Sequence, residues 1–245
     1  MTGGVLDLLL VLAVGLFAGT ISGIVGTGAS VFLIPILVSQ YGPQQTIPIM
    51  AIAATMSNAG KILAWWREID WKATAAYSLA AAPAAALGAR TLLVLPAQVV
   101  DATLGAFFIL MIPGRRWLAA RKVTLNFWHL ALIGAGIGFL TGIVASTGPL
   151  SVAAFTAYGL VKGAFIATEA ATSIFMYLSK VATFRASGAL PLEALLNGLI
   201  VGASLMAGPF IARRFVRDMK PEAFRLLMDG VMLIAGFALL WMAFR

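Results

Sequence analysis

Apolar residues run almost without interruption from Leu6 to Val38, broken only in the middle by Ser22-Gly23-Ile24-Val25-Gly26-Thr27-Gly28-Ala29-Ser30. A similar break recurs at Thr141-Gly142-Ile143-Val144-Ala145-Ser146-Thr147-Gly148-Pro149. A helix needs about 20 apolar residues to cross a hydrocarbon core of ~30 Å. The first run is therefore too long for one crossing. The pattern predicts apolar helices over 5–20, 30–38, 47–64, 73–95 and 99–113, then a second set over 130–143, 150–158, 164–182, 190–212 and 223–244. Trp65, Trp66, Trp71, Trp117, Trp128 and Trp241 fall at segment ends, where their amphipathic rings suit the headgroup level. Pro83 and Pro209 lie inside long segments, which a membrane helix tolerates when its neighbours satisfy the freed carbonyls.

The two sets align in order and in spacing. Ser22-Gly23-Ile24-Val25 matches Thr141-Gly142-Ile143-Val144, and Lys61 with Trp65 matches Lys180 with Phe184. Gly88-Ala89-Arg90 matches Ile211-Ala212-Arg213, Leu95-Pro96 matches Lys220-Pro221, and Leu104-Gly105 falls opposite Asp229-Gly230. We take residues 1–122 and 123–245 as two repeats of one integral membrane domain. If each broken segment crossed once, basic residues would divide between both sides. If each goes in and returns as two short helices, Arg67, Lys72, Arg115, Arg116, Arg121, Lys122, Lys162, Arg213, Arg214, Arg217 and Lys220 share one side. Only Arg90, Arg185 and Arg245 then fall clearly opposite, with Lys180 near that end. The positive-inside rule favours the second arrangement. It inverts one half relative to the other and puts both termini on the periplasmic side. The expected fold is an all-α polytopic membrane protein of two inverted repeats, each a broken, re-entrant-like helix pair plus about three spanning helices. Parts of roughly 9–12 residues reach only about halfway through the core. Their turns must then line a polar cavity or be buried in protein.

Composition supports this class. Of 245 residues, 61% are hydrophobic and 11% charged, where a soluble domain carries about 25% charge. The net charge of +8 sits in short loops, which suits orientation against anionic lipid rather than nucleic-acid binding. The absence of cysteine excludes disulfides and thiolate metal sites. The single histidine, His129, stands beside Trp128 just before an apolar run, the place of an interfacial residue. The start of the chain, Met1 to Asp7, lacks a basic n-region, so no removed signal peptide is expected. Gly23 to Gly28 is not followed by Lys-Ser/Thr, so it is not a nucleotide-phosphate loop. No base accompanies Ser22 for nucleophilic chemistry. No enzyme activity, metal or cofactor is expected.

The second short helix of each pair begins just after the glycines, at Ala29-Ser30 and at Pro149-Leu150-Ser151. A helix N-terminus presents unpaired amides and partial positive charge. Two such termini facing each other would hold a small oxyanion. Gly26, Gly28 and Gly148 would let it approach the backbone, and Thr27, Ser30, Thr147 and Ser151 would add hydroxyls. The competing reading is that the glycines serve close helix packing. Lys61 and Lys180, at equivalent places, either attract the anion or snorkel to the interface. Asn58, Thr172 and Ser173 are further polar contacts or interhelical glue. Glu169 and Asp229 are candidates for proton coupling, with pairing to Lys162 or Arg225 as the alternative.

The glycine break followed by Ser30-Val31-Phe32-Leu33-Ile34-Pro35-Ile36-Leu37, with Gly23, Gly26, Gly28 and Pro35 in place, resembles the first signature of the TauE/SafE sulfite exporter family, also called the toluene sulfonate uptake permeases. Gly142, Gly148 and Pro149 resemble its second signature, and Gly88-Ala89-Arg90 with the following Leu-Pro its third helix. The resemblance covers essentially the whole chain. It departs from the pattern in a thinner glycine run, interrupted by Val25, Thr27 and Ala29, and in Ala145-Ser146-Thr147 replacing glycines. The resemblance implies transport, most commonly export, of sulfite or an organosulfonate across the bacterial inner membrane. The partners expected are a small anion, the lipid bilayer and a coupling proton or sodium ion. An anion channel and a non-transporting membrane scaffold are the alternatives from other classes.

Overall fold

The computed structural model describes residues 5–26, 29–94, 125–143 and 147–220, with 222, 223 and 226. The segments expected over 99–113 and beyond residue 226, with Thr27, Gly28, Trp117, Asp229 and Trp241, lie outside the described residues. Among the described residues there are seven α-helices and no strand. They are α1 (Val5–Val25), α2 (Ala29–Trp65), α3 (Trp71–Val94), α4 (Phe127–Ile143), α5 (Gly148–Tyr158), α6 (Lys162–Ala186) and α7 (Leu192–Asp218), with a 3-10 turn at Trp66–Glu68 after α2. Gln45–Glu68, Trp71–Val94 and Leu192–Asp218 are long and apolar enough to cross a membrane.

Helices end where the sequence breaks. α1 stops at Val25, before Gly26, whose φ of 87° is open to glycine at little cost. α4 stops at Ile143 and α5 starts at Gly148. α5 closes on Gly159 in the left-handed region, φ 105°, as helix C-termini commonly do.

The first half differs from expectation in one element. The segments expected over 30–38 and 47–64 belong to one continuous helix, α2, despite the intervening Gly42-Pro43 and Pro48. That helix is bent. A straight path from Ala29 to Lys61 would span about 48 Å at 1.5 Å per residue, yet Lys61 Nζ lies 2.6 Å from the Gly26 carbonyl oxygen. Leu33 and Leu37 share an apolar cluster with Ile49 and Met50, so the reversal falls between Leu37 and Ile49. The second half makes the same reversal with an open turn, Gly159 to Val161, between α5 and α6.

Packing pairs elements of the two halves. α3 lies along α4, α7 lies along both α1 and α2, and α6 packs on α2 and α3. Close approach depends on glycine. A methyl group at Gly23 of α1 would lie 2.7 Å from the Pro209 Cα of α7, and one at Gly134 of α4 would lie 2.7 Å from the Tyr77 carbonyl oxygen of α3. The packing reading therefore holds for Gly23. α6 carries polar residues along its middle, yet Glu169, Thr172, Ser173 and Lys180 are all buried. Glu169 and Lys180 are thus shielded by protein, which is how intramembrane ionisable groups are accommodated.

One end of the bundle gathers the turn after α2, the start of α6 and the end of α7. The Asp70 amide donates to Thr168 Oγ1 at 2.9 Å, Lys162 Nζ donates to the Arg217 carbonyl at 3.4 Å, and the Arg213 guanidinium lies 5.3 Å from the Trp65 ring centre. Trp66, Trp71 and Trp128 are exposed, whereas Trp65 is buried. His129 is exposed at the start of α4, its Nδ1 accepting from the Asn126 amide at 3.3 Å.

Candidate functional site

The two helix breaks meet at one cavity. Ser22 and Gly26 border it from the end of α1, and Ala29 and Ser30 from the start of α2. Thr141, Thr147, Gly148 and Ser151 border it from the second break. The later part of α2 adds Met50, Ala54, Ser57, Asn58 and Lys61, and α6 adds Glu169, Ser173, Met176 and Tyr177. The space open to water-sized molecules is about 40 Å³. One water needs roughly 10–15 Å³ on this measure, so the cavity suits a small polyatomic ion or a few waters.

The N-termini of α2 and α5 both open onto this space. Amides at such ends carry partial positive charge, and hydroxyls surround them. The Thr141 hydroxyl donates to the Ile137 carbonyl at 2.7 Å and meets the Thr147 hydroxyl across the second break. Ser151 Oγ lies 3.5 Å from the Tyr77 hydroxyl. Ser57 Oγ is buried at the cavity with no hydrogen-bond partner.

The two lysines make matching contacts. Lys61 Nζ donates to the Gly26 carbonyl at 2.6 Å and to Asn58 Oδ1 at 3.1 Å. Lys180 Nζ donates to the Thr141 carbonyl at 3.0 Å. Each ammonium therefore reaches the carbonyl end of the helix preceding its break, where orphan carbonyls and partial negative charge attract a cation. Lys61 is 3% and Lys180 1% exposed, so neither snorkels. Only Lys61 borders the cavity.

Glu169 is 4% exposed. Its Oε1 accepts from Ser173 Oγ at 2.9 Å, and its Oε2 has no hydrogen-bond partner. Its charge interacts with that of Lys61. Pairing with Lys162 does not occur, because that ammonium turns to the Arg217 carbonyl.

Of the residues expected at the site, Gly26, Ser30, Asn58, Lys61, Thr147, Gly148, Ser151 and Glu169 come together at the cavity. Thr172 does not join them, since its hydroxyl donates to the Glu169 backbone carbonyl at 2.8 Å, and Lys180 stands behind the wall. Thr27, Gly28 and Asp229 lie outside the described residues. Ser22, Ser57, Thr141 and Tyr177 also line the cavity, beyond the residues expected there. A usable signal existed for some of them: the 119-residue step from Lys61 to Lys180 also joins Ser22 to Thr141 and Asn58 to Tyr177.

Residues 11–239 match the sulfite exporter TauE/SafE family. A curated relative, "Probable membrane transporter protein YjnA" of Bacillus subtilis (strain 168), is 22% identical over 255 residues, covering 94% of this chain and 98% of the relative. No solved structure matches the chain.

Proposed function

The chain belongs to the sulfite exporter TauE/SafE family of membrane transporters, and from that premise we propose that it moves a small sulfur-containing anion, such as sulfite or an organosulfonate, by alternating access. One observation carries the reading: the N-termini of two helices, one from each half, open onto the same small cavity, lined by buried hydroxyls and Lys61. Inward-aimed helix ends favour anionic groups, and the volume suits a tetrahedral or pyramidal oxyanion better than a larger metabolite.

The halves are read as inverted repeats that rock around this cavity. The packing supports that reading, because exchanging equivalent helices turns the α1–α7 contact into α4–α3 and the α2–α7 contact into α6–α3. The Leu125 amide, just before α4, donates to the Ala157 carbonyl near the end of α5 at 3.3 Å, as an in-and-back pair requires. The gathering of Lys162, Arg213 and Arg217 at one end agrees with a common cytoplasmic face in the bacterial inner membrane. Moving without a coupled ion, a monovalent anion would be favoured for export by an inside-negative potential by about 2.3 kcal/mol per 100 mV; a proton carried with it would cancel that charge.

A thermal-shift screen of sulfite, thiosulfate, sulfate, sulfoacetate and simple carboxylates tests the site. We expect stabilisation by sulfur oxyanions or sulfonates and little by carboxylates. Counterflow in proteoliposomes that saturates at low turnover supports a carrier, whereas channel-like conductance would reject alternating access. A protein stabilised by no anion would return the scaffold reading.

A further inference from the structure

We propose that Glu169 is the proton-coupling group of this transporter, taking up one proton as the anion enters the cavity and releasing it as the anion leaves. The proposal rests on the cavity being the anion site, and it adds the species that travels with the anion.

The chemistry of the cavity is lopsided. The 119-residue step that equates Lys61 with Lys180 equates Glu169 with Met50, and both Met50 and Glu169 face the cavity. One half therefore brings a carboxyl where the other brings a thioether. That carboxyl is buried, holds the Ser173 hydroxyl on Oε1, and leaves Oε2 without a partner. Lys61 is the ammonium at the cavity, and it is already directed at the Gly26 carbonyl and Asn58.

An anion entering beside an ionised carboxylate meets a like charge, which each group disfavours in the other. A proton on Oε2 removes that repulsion. It also converts an acceptor into an O–H donor that can bond the anion. The balance is simple: the carboxylate and a proton from water on the open side become a carboxylic acid, and the reverse step on the other side frees the proton. No other bond changes.

Among the described residues, the titratable groups that bear on Glu169 are Lys61 from α2 and Tyr77 from α3, and Tyr177 on α6 itself borders the same cavity. The first and second breaks contribute the hydroxyls of Ser22, Thr141, Thr147 and Ser151, and α7 contributes Leu205. A metal cation in the proton's place would need a shell of oxygen ligands. Among the described residues, the Glu169 carboxyl receives one hydrogen bond, from the Ser173 hydroxyl to Oε1, and Oε2 receives none.

The test uses the full chain purified in detergent, with methanesulfonate and thiosulfate as probes because their charge does not change near neutral pH. Calorimetry at one pH in triethanolamine and in Tris, two cationic buffers whose protonation enthalpies differ, counts protons bound. We expect about one proton taken up per anion, and affinity falling about tenfold per pH unit on the alkaline side. In Glu169→Gln the proton uptake and the pH slope should vanish, whatever the remaining affinity. In proteoliposomes a pH gradient should drive labelled methanesulfonate uphill through the wild type and not through the variant. Wild-type binding without proton uptake, or uptake persisting in E169Q, overturns the coupling role and leaves the anion site standing. The wild-type count does not depend on the variant folding. Binding of neither probe by the wild type rejects the anion site and this proposal together.

Discussion

The two breaks use the same backbone device with different chemistry. In each, a buried lysine from the following long helix reaches the carbonyl end of the preceding helix, Lys61 to Gly26 and Lys180 to Thr141. Beyond that contact they diverge. Lys61 borders the cavity and bonds Asn58, whereas Lys180 sits behind the wall with its ammonium 5.6 Å from the Phe184 ring centre. The neighbours diverge as well, with Met50, Ala54, Ser57 and Asn58 standing where the other half has Glu169, Ser173, Met176 and Tyr177. An orphan helix end needs a partner in either half, which holds the lysines in place. On the proposed anion reading, the lining answers to the ligand and is free to differ. Equivalence in sequence therefore predicts a residue's structural duty better than its part in binding.

The largest expected effect is all-or-none. Arg90 of α3 and Arg214 of α7 are exposed and lie near the ends of helices that correspond in the two halves. The chain has no cysteine, so Arg90→Cys and Arg214→Cys each give a single reactive site. In intact cells an impermeant maleimide should label the first and spare the second. Labelling of both, or the opposite order, would break the proposed inverted relation between the halves.

The next effect separates the lysines. Lys61→Met removes a charged group from the cavity, and hydrogen bonds to charged groups are worth about 1.5–3 kcal/mol. Anion affinity should fall by roughly 10- to 150-fold. Lys180→Met should leave affinity within about twofold while lowering thermal stability, because the Thr141 carbonyl loses its partner at a cost of about 1–3 kcal/mol. Equal loss of affinity in both variants would show that Lys180 also reaches the anion.

Much of this arrangement was legible in the chain. Gly26 and Gly148 sit at helix boundaries, as the glycine-rich interruptions in apolar runs suggest, and Gly26 adopts a positive φ open to glycine at little cost. The continuous, bent α2 was not legible. Gly42-Pro43 resembles a terminus, and only contacts such as Lys61 to Gly26 reveal that the helix folds back instead. The facing of α6 was also hidden, since nearly every residue around a membrane helix is apolar and periodicity weakens as a guide. Thr172 and its neighbour Ser173 therefore look alike in the sequence, although only Ser173 borders the cavity. Ser57 looked like the small hydroxyl residues that tie membrane helices together, and only its missing partner distinguishes it.

The smallest effect sets two orphaned hydroxyls against each other. Ser57 Oγ, at the cavity, and Ser78 Oγ, on α3 away from it, are both buried without a hydrogen-bond partner. Removing an unsatisfied buried polar atom relieves a desolvation penalty. Ser57→Ala and Ser78→Ala should therefore hold or raise the thermal stability of the empty protein, by up to about 1 kcal/mol. Their effects on ligand should differ. A hydroxyl that waits for an anion contributes about 0.5–1.5 kcal/mol once bonded, so Ser57→Ala should weaken affinity roughly two- to tenfold. Ser78→Ala should leave it unchanged. Isothermal titration with the best anion from the thermal screen measures both. An unchanged affinity in Ser57→Ala would mean that its hydroxyl takes no part in holding the anion, and would confine the binding surface to the two helix ends and Lys61.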